Sequence, residues 1–160
     1  MQGGGTIPPV VTFRKTAVTD PAAQALLAEY FAFRASTFPV TGGYRASYPD
    51  PTQYVEPNGV FLLAREYGEE LGCGGIRSLG DGRFEIKHLW IRPLARGRGI
   101  GRRMLEQLER RALLFGAREF VLDTNSSLEA AGGLYLSHGY LPIEAYNDNP
   151  NATDWYLKSL

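Results

Sequence analysis

The stretch from Phe84 to Thr124 constrains the fold more than any other part of the chain. FEIKHLWIR, residues 84–92, is rich in β-branched and aromatic residues and reads as a strand. RPLARGRGIGRRML follows from Arg92, with Gly97, Gly99 and Gly101 alternating among the arginines. It opens a helix in which Met104, Leu105, Leu108, Ala112 and Phe115 line one side until Gly116 stops it. EFVLDT, residues 119–124, is a second strand. Because a helix separates the two strands, they should lie parallel in one sheet with the helix packed on it.

The remaining segments fit around this unit. VVTFRKTA, residues 10–17, has a strand's composition, and Asp20-Pro21 supplies a cap and a first-turn proline for a helix carrying Ala23, Leu26, Leu27, Tyr30, Phe31 and Arg34 at helical spacing. GVFLLARE, LGCGGIRSL and FEIKHLWIR, separated by turns at Tyr67-Gly68-Glu69-Glu70 and Gly80-Asp81-Gly82, predict an antiparallel meander. Ser126 with Glu129 matches a capping box, which predicts a helix over LEAAGGLYLSH ended by Gly139. YLPIEAY and TDWYLKSL read as two closing strands. The order β, α, three β, α, β, α, β, β predicts an α+β fold with a single mixed, largely antiparallel β-sheet flanked by helices. Residues 10–160 form the domain, and residues 1–9, with Gly3 to Gly5, read as a flexible terminus.

Composition narrows the function. No run approaches the roughly 20 apolar residues of a membrane span, and the start MQGGGTIPPVV lacks a secretory pattern, so a cytoplasmic protein is expected. A single cysteine, Cys73, and two histidines, His88 and His138, give no metal-ligand spacing, so no metal is expected. Cys73 in LGCGG reads as a buried structural thiol, with a reactive thiol as the alternative. The formal net charge is zero, which argues against a nucleic-acid-binding surface, although seven arginines lie between Arg92 and Arg111.

A glycine-rich segment at a strand end and helix start presents unpaired N–H groups to an anion, and arginines add charge. It is not the dinucleotide loop, whose third glycine would fall where Arg102 stands, nor the triphosphate loop, which needs Gly-Lys-Ser/Thr. What fits is Arg-x-x-Gly-x-Gly at Arg96, Gly99 and Gly101. Here the sequence resembles the GNAT superfamily of acyl-CoA-dependent N-acetyltransferases, whose signature wraps the pyrophosphate of coenzyme A. Tyr135-Leu136-Ser137-His138-Gly139-Tyr140 resembles the family's tyrosine, three residues, glycine, aromatic pattern, and the order of elements matches from residue 10 to 160. Where many members carry an asparagine three residues before Ala131, this chain has Leu128, and Asn125 stands in.

The resemblance implies acetyl-CoA as co-substrate, held at Arg96, Gly97, Arg98, Gly99, Ile100, Gly101, Arg102 and Asn125. It implies a pantetheine arm along the backbone of Leu89, Trp90 and Ile91, with the Leu89 N–H as oxyanion donor. Tyr135 matches the family's general acid; a core tyrosine is the alternative. Glu85, eleven residues before Arg96, matches the offset of the catalytic glutamate in the histone-acetylating branch. An edge-strand glutamate pairing with Lys87 is its alternative.

The expected reaction moves an acetyl group to a primary amine of a small molecule, with a protein amine as the alternative. The acceptor should meet the loop from Phe38 to Pro57 and the tail around Tyr146 to Thr153, where Asp50, Glu56, Asp148 and Asp154 are candidate partners for a cationic amine. The loop from residue 38 to 57 reads either as an ordered binding mouth or as a solvated connection. A homodimer is what the resemblance allows. The competing readings are an acyl-CoA-binding module without turnover and a nucleic-acid contact at Arg92–Arg111.

Overall fold

The computed structural model describes residues 10–160, so the flexible terminus expected over residues 1–9 lies outside the described residues. After β1 (Thr12–Lys15), Asp20 accepts from the Ala22 N–H at 2.9 Å and Pro21 takes the first helical position, starting α1 (Pro21–Thr37). β2 (Gly59–Glu66), β3 (Glu69–Gly80) and β4 (Arg83–Ile91) form the expected antiparallel meander. Its turns close on Tyr67-Gly68 and Asp81-Gly82, all four residues at positive φ, the geometry that follows the strands' own twist. α2 (Ile100–Leu114), β5 (Glu119–Thr124), α3 (Glu129–Ser137), β6 (Leu141–Ile143) and β7 (Asp154–Ser159) complete the domain.

The seven strands make one sheet in the order β1-β2-β3-β4-β5-β7-β6. Every neighbouring pair is antiparallel except β4 and β5. The fold is therefore α+β with a single mixed, largely antiparallel sheet. β2 shows how both faces are filled. Val60, Leu62 and Ala64 join Met104, Leu105 and Leu108 of α2, while Phe61 and Leu63 join Leu26, Leu27 and Phe31 of α1. A Cβ at Gly74 would lie 3.0 Å from Leu108 Cδ1 and 3.1 Å from Met104 Cγ, so the glycine lets α2 approach β3 closely. Cys73 beside it is fully buried, and burial pushes its thiol pKa up, as the structural reading requires.

Two local expectations are corrected. Ser126 does not cap α3: the N-cap position is Leu128, which makes no side-chain cap bond. Instead Asn125 Oδ1 accepts from the Ser127 N–H at 3.0 Å, and the Ser126 N–H donates to Thr153 Oγ1 at 2.8 Å. A contact with the tail has displaced the local box. The strand expected over YLPIEAY is reduced to Leu141–Ile143, and the chain from Glu144 onward becomes a loop leading into β7.

Two irregularities position the site. The parallel pairing of β4 with β5 covers only Arg83↔Glu119, Phe84↔Phe120 and Glu85↔Val121, after which the strands diverge. On its other side β4 is in register with β3 at Gly75↔Lys87 and again at Cys73↔Trp90, so one extra residue is inserted at His88-Leu89, with His88 at φ 58°. This bulge bends β4 away from β5.

Candidate active site

Divergence of β4 from β5 opens a slot in the middle of the sheet. Leu89 has no residue in register on either side, while Trp90 and Ile91 pair only with β3. One end of the slot meets the segment between β4 and α2. There Gly97 and Gly99 have φ of 80° and 75°, and an added Cβ at Gly97 would meet no atom within 4 Å. The first backbone bond of α2 runs from the Arg103 N–H to the Gly99 carbonyl at 3.1 Å. Among the described residues nothing accepts from the N–H groups of Gly97, Arg98, Gly99, Ile100, Gly101 and Arg102. Successive unpaired donors on a left-handed backbone at a helix start form an anion-binding concavity.

The arginines here are more occupied than their spacing suggests. Arg98 forms a two-pronged pair with Glu66 at 3.1 and 2.6 Å, and Arg92 holds Glu29 at 2.7 Å. Hydrogen bonding to Arg92 keeps the Glu29 pKa below the ordinary carboxylate range. Arg96 donates to the Ile91 carbonyl at 3.0 Å and lies over the Trp90 ring, 4.9 Å from its centroid. Arg102 is exposed and only loosely joined to Glu106 at 3.5 Å, so it is the freest charge at the concavity.

The other end of the slot widens into a cavity of about 570 Å³ bounded by α1, the loop after it, β4, β5, α3 and the loop before β7. The loop from residue 38 to 57 is thus an ordered wall, carrying a 3₁₀ turn at Pro51–Tyr54. Tyr135 lies on the cavity wall and is 6% exposed, packed against Tyr140 and Tyr156 with centroids 6.0 and 6.1 Å away. Burial, with the charge of Asp123 adding to it, pushes the Tyr135 pKa up, so the phenol keeps its proton at neutral pH. Leu89 also reaches this wall.

Glu85 is placed differently from a base that faces an incoming amine. Only 1% of it is exposed, Oε1 accepts from Arg77 Nη2 at 2.8 Å, and Oε2 accepts from the Tyr146 hydroxyl at 2.6 Å. It is absent from the residues lining the cavity. The expected partner Lys87 is corrected to Arg77, because register sets Arg77 opposite Glu85. Lys87 instead reaches Asp123 at 3.5 Å. Asn125 is likewise committed, donating to the Asn151 carbonyl at 3.1 Å while accepting from Ser127. Of the acids expected to hold an amine, only Asp50 lines the cavity, and its Oδ1 is used by Thr52 at 2.9 and 2.8 Å. Glu56 pairs with Lys15 and Asp154 accepts from Thr153.

The sequence matches the Acetyltransferase (GNAT) family over residues 22–140. The chain belongs to the GNAT family. It is similar to an N-acetyltransferase of Schizosaccharomyces pombe whose activity is uncharacterised, 34% identical over 108 residues, a match spanning 66% of this chain and 66% of that protein. It is also similar to the IAA acetyltransferase of Azospirillum brasilense, 29% identical over 146 residues, 89% of this chain and 94% of that one. Among solved structures, a protein of Klebsiella pneumoniae described as an acyl-CoA N-acyltransferase superimposes with a TM-score of 0.77 at 28% identity, covering 94% of this chain and 97% of that one. A GNAT acetyltransferase of Elizabethkingia anophelis, solved with acetyl-CoA bound, shares the fold at a TM-score of 0.65 and 16% identity, with 94% of this chain and 98% of that one covered. As a GNAT member the protein is an acyl-CoA-dependent acetyltransferase.

Three residues of this GNAT cavity are not singled out as functional by the sequence. His88 sits on the bulge with Tyr30 and Phe31 rings 6.0 and 5.8 Å away, and burial, helped by the charges of Lys87 and Arg77, pushes its pKa down to about 3. Asp123 accepts from Asn147 at 2.7 Å as well as from Lys87. Arg34 is 5% exposed on the inward face of α1 and also reaches the cavity. Its only signal in the sequence is a charge among apolar neighbours. Among the described residues no group of three or more His, Cys, Asp or Glu is placed to hold a metal, and no helix is long and apolar enough to cross a membrane.

Proposed function

We propose that the protein transfers the acetyl group of acetyl-CoA to a primary amine of a small molecule by direct attack. The observation that carries this reading is the slot between β4 and β5, with unpaired backbone donors at one end and a cavity at the other. The donors from Gly97 to Arg102, with Arg102 beside them, suit a pyrophosphate. The free edge of β4 at Leu89, Trp90 and Ile91 suits the amides of an extended pantetheine, as in strand addition. Acetyl-CoA supplies an activated thioester carbonyl.

The protein's own groups then have defined tasks. The Leu89 N–H, released from the ladder by the bulge, is the proposed donor to the developing oxyanion. The amine nitrogen bonds to the acetyl carbon as the carbon–sulfur bond breaks, and Tyr135 gives its proton to the departing thiolate. The amine's own proton leaves through water in the cavity, and that water returns a proton to the Tyr135 phenolate. Glu85 acts on this route only if Tyr146 releases Oε2, so its proposed part is to hold Arg77, which lines the cavity, together with Tyr146. The cavity is of the size that small ligands fill, which supports a small-molecule acceptor over a protein.

The test combines calorimetric titration with acetyl-CoA and a thiol-release assay across a panel of primary amines. Saturable binding and amine-dependent thiol release are expected. No binding at millimolar acetyl-CoA would refute the reading.

A further inference from the structure

Arg34 is the anomaly of the cavity. It continues the buried stripe of Ala23, Leu26, Leu27 and Phe31, where an aliphatic side chain would pack without penalty. Its Nη2 donates to the Asn151 carbonyl at 3.2 Å, but Nε and Nη1 are buried and have no acceptor among the described residues. The Tyr44 ring covers the guanidinium, 5.1 Å from its carbon. No carboxylate of the described residues comes within ion-pair distance of it. A guanidinium cannot shed its charge as a lysine can, so burying it with donors unused is costly unless something supplies an acceptor.

The other charges of the cavity point to what that acceptor is. Arg77 is matched by Glu85 and Lys87 by Asp123, while Asp50 is exposed and engaged by Thr52. Arg45 is exposed to solvent. The buried wall is left with one unmatched charge, and it is positive. We propose that Arg34 receives a carboxylate of the acceptor, so that the substrates are amines that also carry a carboxyl group, such as amino acids. One unmatched positive charge balances a monoanion, whereas a phosphate ester would bring a second charge that the wall does not meet. The two groups over the guanidinium lie on loops. Asn151 is clasped to Arg45 by bonds of 3.1 and 2.8 Å, and Tyr44 precedes Arg45, so both groups over the guanidinium are held by one loop-to-loop clasp.

This inference rests on the acetyltransferase reading, and its test separates the two. Thiol release at saturating acetyl-CoA is measured with L-amino acids and with their carboxamides, for the parent protein and for Arg34→Gln and Arg34→Met. The N-acetyl amino acids and their carboxamides are titrated calorimetrically in the presence of CoA, which reads carboxylate binding without turnover. Acids should exceed amides in kcat/KM and in affinity. Arg34→Gln should raise KM for the acids by about 100-fold with kcat changed little, bringing acid and amide to parity. Melting curves of both variants should stay within a few degrees of the parent, since the side chain removed had donors without partners. Amides used or bound as well as acids by the parent would overturn the proposal, as would equal losses on acids and amides in the variants, or no binding of any acid. If acetyl-CoA itself fails to bind the parent, the transferase reading has failed first.

Discussion

Substitution at Gly99 separates the shape of the concavity from its charge. Gly99 sits at φ 75° and ψ 15° as the N-cap of α2, and an added Cβ would have only Arg102 near it, at 3.6 Å from Nη2 and 4.0 Å from Nε. No steric clash opposes a side chain there, so Gly99→Ala should cost only the left-handed conformation, about 1–2 kcal/mol of stability. Asparagine tolerates that conformation better and should cost less. Gly99→Glu carries the same backbone strain, offset by about 0.3–1 kcal/mol because a negative charge suits a helix N-terminus. It should therefore be no less stable than the alanine variant. Its effect on binding is different. Two charges ~6 Å apart at an effective dielectric of ~40 repel by about 1.4 kcal/mol, and a pyrophosphate presents roughly two, so acetyl-CoA should bind about 100-fold more weakly. Arg102 would also turn towards the new carboxylate. Calorimetry with acetyl-CoA and thermal melts of the three variants give both quantities. If Gly99→Glu bound acetyl-CoA as tightly as Gly99→Asn, no pyrophosphate would sit at these amides.

Tyr135→Phe should leave acetyl-CoA affinity within about twofold and lower kcat by at least about 10²-fold, read by thiol release; an undiminished rate removes the tyrosine from the mechanism. Glu85→Gln should cost about 2 kcal/mol in denaturant unfolding, since Arg77 loses the charge that matches it at 2.8 Å, discounted because Arg77 is partly exposed. The acidic limb of its pH–rate profile should persist, and loss of that limb would make Glu85 the base. His88→Asn suits the positive φ at that position and removes a titrating group. The folded pKa of His88, about 3, lies below its unfolded value near 6.5, so below that value the unfolded chain binds the extra proton and stability falls as pH falls. Between about pH 6 and 4 the parent should lose up to about 1.4 kcal/mol per pH unit more than the variant, measured by urea unfolding at each pH. Equal slopes would mean that His88 is already protonated when folded.

What the sequence reveals of this protein follows the range of the interaction. The Asp20-Pro21 start of α1 and the places of the two hairpin turns are set by neighbours in the chain and are legible, although the turns close on two residues where the sequence suggests three or four. The parallel crossover from β4 to β5 follows from one helix between two strands. The partner of Glu85 was not legible, because it depends on register across a hairpin and on a loop residue, Tyr146, sixty-one positions away. Ser126 looked like a cap because the pattern is local, but Thr153 and Asn125 had the stronger claim on those amides. Arg34 is the sharpest case. The helical stripe that contains it was read correctly, yet its meaning lies in Asn151, which is 117 residues further on.

Joining β4 and β5 over three residue pairs makes the sheet a wedge. β1 to β4 lie on one side and β5 to β7 on the other, and the pairs at Arg83, Phe84 and Glu85 are the seam between them. Phe84 and Phe120 face each other across that seam, and both are buried. Beyond those three pairs the slot opens towards the glycines before α2 on one side and Tyr135 on the other. Packing around two phenylalanines with no polar atom of their own thus lies where the slot begins, and in the proposed reading a change of volume there alters the fit of donor and acceptor at once.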